Sequence, residues 1–85
     1  MTFEGAVIRE QGITFAIVIV KPQVLDDRST AEEMIGQFQL HFGVSVVLMA
    51  QDGRGRPTYY GRQDIARFMS GVPLRAVRWK RYTLH

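Results

Sequence analysis

The sequence predicts an α+β fold: a single, mainly antiparallel sheet of four or five strands with two helices, in the order ββαββαβ. Three observations carry this. Short runs rich in Val, Ile and Phe recur along the chain, two stretches space their apolar residues at helical period, and glycine or proline stands between most of these segments. With 85 residues, 46% of them hydrophobic and 22% charged, the chain has the size of one domain, 1–85, and the composition of a folded one.

Phe3 to Glu10 and Ile13 to Lys21 read as the first two strands, joined at Gln11-Gly12, where glycine supplies the positive φ of a tight turn. Lys21-Pro22 ends the second strand, because proline lacks the N–H a ladder needs. A loop to Ser29 follows. Ser29 with Glu32, or Thr30 with Glu33, offers a capping box that opens a helix. Along it Ala31, Met34, Ile35, Phe38 and Phe42 form one stripe, and Gly43 stands where a left-handed cap closes it. Val44 to Gln51 is a third strand, and residues 52–56 form a turn. Pro57 to Gly61 is a short fourth strand, and Arg62 to Ser70 is a second helix with Ile65, Phe68, Met69 and Val72 inward. After Pro73 the chain is expected to end in a strand over Arg78 to Leu84. Phe15, Ile17, Val46, Leu48, Ile35, Phe38, Ile65 and Phe68 are the expected core.

The second strand sets a condition on the whole. Phe15, Ile17 and Ile19 point to one face while Ala16, Val18 and Val20 point to the other, and both sets are apolar. Either the helices lie on opposite sides of the sheet, or one face is left open and meets a second copy of the chain as a homodimer.

Composition removes several functions. The chain has no cysteine, which excludes disulfides, Cys-based zinc sites and thiol nucleophiles. No apolar stretch approaches a membrane span, and an acid at Glu4 stands where a signal peptide carries basic residues. A cytoplasmic location and no membrane partner are the expectation. His41 lies at the margin of a helix stripe, and His85 is expected to fray. Neither has a metal-ligating partner at i+4. Asp26, Asp27, Glu32 and Glu33 could hold a hard cation, but acids at a helix start are better explained by its dipole. The expectation is a non-enzyme without a cofactor.

Charge gives the positive signal. Residues 1–52 hold three basic and seven acidic residues, net −4, whereas residues 53–85 hold eight basic residues against Asp64 alone, net +7. Gly53-Arg54-Gly55-Arg56 could shape a backbone nest for an anion, though a solvated hairpin tip is the plainer reading. Tyr59-Tyr60-Gly61-Arg62 and the tail 75–82 interleave cations with aromatics, the chemistry by which single-stranded nucleic acid is held. Strand alternation turns Trp79 inward with Val77 and Arg81, and Arg78, Lys80 and Tyr82 outward. The candidate anion-binding residues are Arg54, Arg56, Arg62, Arg78, Lys80, Arg81 and Tyr82. The reading is a small binding module whose partner is nucleic acid or an acidic protein surface. The alternative is a homo-oligomeric structural or interaction domain with no nucleic-acid role, in which the acidic and basic halves of two copies meet.

Overall fold

The computed structural model describes residues 1–10 and 12–84, so half of the first turn, Gln11, and the expected fraying at His85 lie outside the described residues. Strands β1 (Thr2–Glu10) and β2 (Ile13–Ile19) form the opening hairpin. A short helix α1 (Pro22–Asp26) and the long α2 (Arg28–Phe42) lead to β3 (Ser45–Gln51). Next come β4 (Pro57–Tyr60), α3 (Gln63–Ser70), a 3-10 turn (Leu74–Ala76) and β5 (Lys80–Thr83). The five strands form one sheet in the order β4-β3-β2-β1-β5. Three of its pairings are antiparallel, and β2 with β3 is parallel, as a strand–helix–strand crossover requires.

The two longer helices, α2 and α3, lie on opposite faces, which satisfies the condition set by β2. Ala16 and Val18 pack with Phe3, Val46, Leu48 and the α2 residues Ala31, Ile35 and Phe38. Phe15 and Ile17 pack with Val47, Met49 and the α3 residues Ile65 and Met69. All four β2 residues are buried at 0–2% exposure. Neither sheet face is left open for a second copy.

Two expectations are corrected. The stretch after Lys21 is a helix, not a loop, because Pro22 suits the first helical position and Val24 and Leu25 pack onto the α2-side core. Phe68 is 39% exposed rather than buried: Met69, at 0%, takes the inward position, and the Phe68 ring meets Phe15 edge-on at 6.2 Å from the rim. The cap of α2 also differs from a Ser or Thr box. Asp27 is the N-cap, with its Oδ1 accepting from the Thr30 N–H at 3.2 Å, and that bond holds the Asp27 carboxyl below the ordinary aspartate range. Gly43 closes the helix at φ 71° as expected, its N–H donating to the Gln39 carbonyl at 2.8 Å.

α2 crosses the sheet obliquely. Near its start, the Glu32 carboxylate accepts from the Tyr60 hydroxyl on edge strand β4 at 2.9 Å. Near its end, Phe38 and Phe42 meet Phe3 on β1 at centroid distances of 4.7 and 5.9 Å, and Phe42 meets Tyr82 on β5 at 5.1 Å. One helix thus ties both edges of the sheet to its centre.

Phe38→Ala should destabilise the protein by about 3–5 kcal/mol, since the ring is 1% exposed in the larger core, and chemical denaturation measures this. Gly5→Ala should cost about 1–3 kcal/mol by overpacking, because a Cβ there would stand 2.6 Å from the Ile17 carbonyl oxygen of the neighbouring strand. An unchanged unfolding midpoint in either variant would contradict the packing described.

Candidate anion-binding surface

The chain after α3 forms a strap that closes the sheet along β1. Pro73 starts the 3-10 turn, and the Trp79 indole N–H donates back to the Leu74 carbonyl at 3.2 Å, which fixes the ring against the α3-side core with Val72 and Val77. β5 then pairs with β1, with Lys80 opposite Gly5, Arg81 opposite Glu4 and Tyr82 opposite Phe3. The Tyr82 ring stacks on Phe3 at 5.4 Å and 17° and is half-buried. Tyr82 therefore faces a core, not solvent. Alternation alone had assigned it outward with Lys80, but a sheet covered on both faces has no purely outward set.

Anchoring the two rings leaves the cations outside. Arg75, Arg78, Lys80 and Arg81 are all exposed. Arg81 lies 4.0 Å from Glu4, at the limit of an ion pair. Among the described residues, none of Arg75, Arg78 and Lys80 has a carboxylate within that distance.

The remaining sequence-predicted cations sit elsewhere, and two of the three, Arg56 and Arg62, are paired with carboxylates. In the β3–β4 loop the Asp52 Oδ1 accepts the backbone N–H groups of Arg54 and Arg56 at 2.8 and 2.9 Å, and its Oδ2 accepts from the Arg56 Nε at 3.1 Å. The nest anticipated at Gly53 to Arg56 thus holds the chain's own carboxylate. Arg62 precedes α3 and donates through Nε and Nη2 to Asp64 at 3.1 and 2.6 Å. These three arginines flank β4, while Arg78 precedes β5 and Lys80 and Arg81 lie in it, at the other edge of the sheet. Four strand spacings, about 19 Å, separate the edges. Among the described residues these cations fall on two sheet edges, not one surface, and those of the β5 side adjoin one another without carboxylate partners at Arg75, Arg78 and Lys80.

A cleft of about 630 Å³ lies beside β4, between α2 and α3, lined by Arg28, Glu32, Gln39, Tyr60, Arg62 and Gln63 among others. It has no counterpart in the sequence reading, because Arg28 and Glu32 look like ordinary helix-start residues until the crossing of α2 brings them to β4. The neighbouring Tyr59 hydroxyl is buried without a hydrogen-bond partner among the described residues, and burial raises its pKa. Among the described residues no group of three or more His, Asp or Glu side chains is placed to hold a metal ion. No helix among them is long and apolar enough to cross a membrane.

No known protein family, curated protein or solved structure matches the chain.

The carboxyls of Asp52 and Asp64 should titrate below the ordinary 3.8, the first chiefly through the backbone N–H groups of Arg56 and Arg54, the second chiefly through its hydrogen bonds from Arg62. The stability they lend is complete above the unfolded value and is lost as pH falls through the lowered midpoints. Carboxyl NMR titration reads both midpoints, and Arg62→Ala should return Asp64 toward 3.8 while leaving Asp52 in place.

Proposed function

We propose that the chain is a non-catalytic binding module, cytoplasmic, that holds nucleic acid along residues 75–81. The observation that carries this is the uncompensated charge of Arg75, Arg78 and Lys80 on a segment whose rings are turned inward. Guanidinium and ammonium groups neutralise phosphates, arginine in bidentate fashion, and release condensed counterions as they do so. Trp79 and Tyr82 are held against the two cores, so neither serves as a platform for stacking bases. The contact is therefore to the phosphate backbone, which sets affinity without reading sequence. The cysteine-free composition agrees with a reducing compartment.

Binding to a short single-stranded oligonucleotide should weaken with salt. At roughly 0.7 in log K per log salt for each phosphate contact, four engaged cations give a slope near −3 and a loss of about 50-fold between about 50 and 200 mM. Arg75→Glu with Lys80→Glu should weaken binding and leave the unfolding midpoint unchanged, whereas Arg54→Glu at the far edge should leave binding intact. Failure to bind DNA and RNA at the lower salt would assign the strap to an acidic protein surface instead.

A further inference from the structure

The strap covers only half of its side of β1. The Leu84 N–H donates to the Met1 carbonyl at 2.7 Å and the Met1 ammonium donates to the Leu84 carbonyl at 3.1 Å, and the pairing continues through Phe3 with Tyr82 to Gly5 with Lys80, where it ends. Antiparallel strands direct the N–H and C=O of alternate residues to the same side. The odd-numbered residues of β1 therefore face β5, and beyond Gly5 the backbone groups of Val7 and Arg9 point out of the sheet with no strand of the described residues beside them. Open edges are ordinarily blunted by proline, lysine or a bulge. This one carries Val7 at 51% exposure and the exposed Arg9, with Phe68 at 39% beside them.

A groove of about 310 Å³ runs along the α3 side of this edge, lined by Ala6, Ile8, Glu10, Phe68, Val72 and Arg78 among others. An open edge beside a groove takes an added strand: main-chain bonds give affinity, and alternate side chains entering the groove give specificity. We infer that the occupant is β1 of a second copy, added antiparallel about a two-fold axis at Ile8. In that register Val7 of each copy exchanges both backbone bonds with Arg9 of the other, so all four outward groups of each edge are paired. The residues that alternate onto the α3 side fit the groove. Ile8 meets its own symmetry mate beside Phe68, and Glu10 comes opposite Ala6, where Arg78 of the other copy lines the same groove. The segment is complementary to itself in hydrogen bonding, in apolar contact and in charge. This interface uses a strand edge, not a sheet face; it shares Arg78 with the proposed phosphate contacts, so the dimer is measured without nucleic acid, where its failure leaves that reading untouched.

Sedimentation equilibrium of the full chain should show a concentration-dependent dimer. Val7→Pro deletes an outward N–H and leaves the β1–β2 ladder intact, so a folded Val7→Pro protein should dimerise at least about tenfold more weakly. Arg78→Glu should weaken the dimer, and Arg78→Glu combined with Glu10→Arg should restore it, which tests the register independently of the proline variant. The absence of cysteine supplies a third reading: Ile8→Cys should oxidise to a covalent dimer, since facing residues of a non-hydrogen-bonded pair lie about 4.5 Å apart at Cα, while Val7→Cys should not. A strict monomer at about millimolar concentration, a dimer indifferent to Val7→Pro in a folded protein, or a charge swap that fails to rescue would each overturn the assignment.

Discussion

The fold depends on a strand that cannot tolerate water on either side. Phe15, Ala16, Ile17 and Val18 of β2 are all buried, two toward each face, and no single layer of helix can cover both. Burying a side chain of this kind contributes about 1.5–3 kcal/mol, so leaving either face exposed would forfeit a large part of the stability a domain of this size can hold. The crossover from β2 to β3 carries α2 over one face, and the β4–α3 unit carries α3 over the other. Once both are in place, β2 and β3 occupy the centre and the shorter or more polar strands are left to the edges. The division of the arginines between the two sheet edges follows from that order.

Electrostatics sort the arginines into two kinds. Arg56 and Arg62 lie near carboxylates close in sequence, Asp52 and Asp64, in exposed pairs whose main effect is to fix the local backbone. Among the described residues Arg75, Arg78 and Lys80 have no such neighbour, and the backbone that carries them is anchored by the rings of Trp79 and Tyr82. A cation held in place by an adjacent aromatic keeps its charge available. The same strap thus serves as the lid of the α3-side core through Trp79 and as a charged border through its alternate residues.

Much of this was legible in the chain itself. The helical stripe ending at Phe42, the left-handed cap at Gly43 and the doubly apolar second strand are local patterns, and local patterns predicted the elements and their order. What escaped was set by distant contacts. Phe68 and Met69 are adjacent and equally apolar, and only the placement of α3 over Phe15 and Ile17 decides which points inward. Tyr82 looks outward by alternation until Phe3, nearly eighty residues earlier, is seen to stack on it. The basic excess was visible as a count, but its division between two sheet edges, and the neutralisation of Arg56 and Arg62, required the strand order and the loop geometry. The cleft beside β4 is of the same kind, since Arg28 and Tyr60 share it only through the oblique path of α2.

The pairing of β5 with β1 joins residues 80–83 to residues 2–5, a separation close to the full length of the chain. Loop-closure entropy grows slowly with length, but contacts of this range form late, after the hairpin and the crossover have made a surface to dock on. During synthesis the flank of β1 therefore stays bare until residues 80–83 emerge. In the finished protein the strap belongs to the part that opens first, since its departure leaves β1 to β4 and their α2-side core largely assembled. Any polyanion bound to residues 75–81 would then act as a latch on that closure, slowing amide exchange in β5 and in the first half of β1 more than in the centre of the sheet.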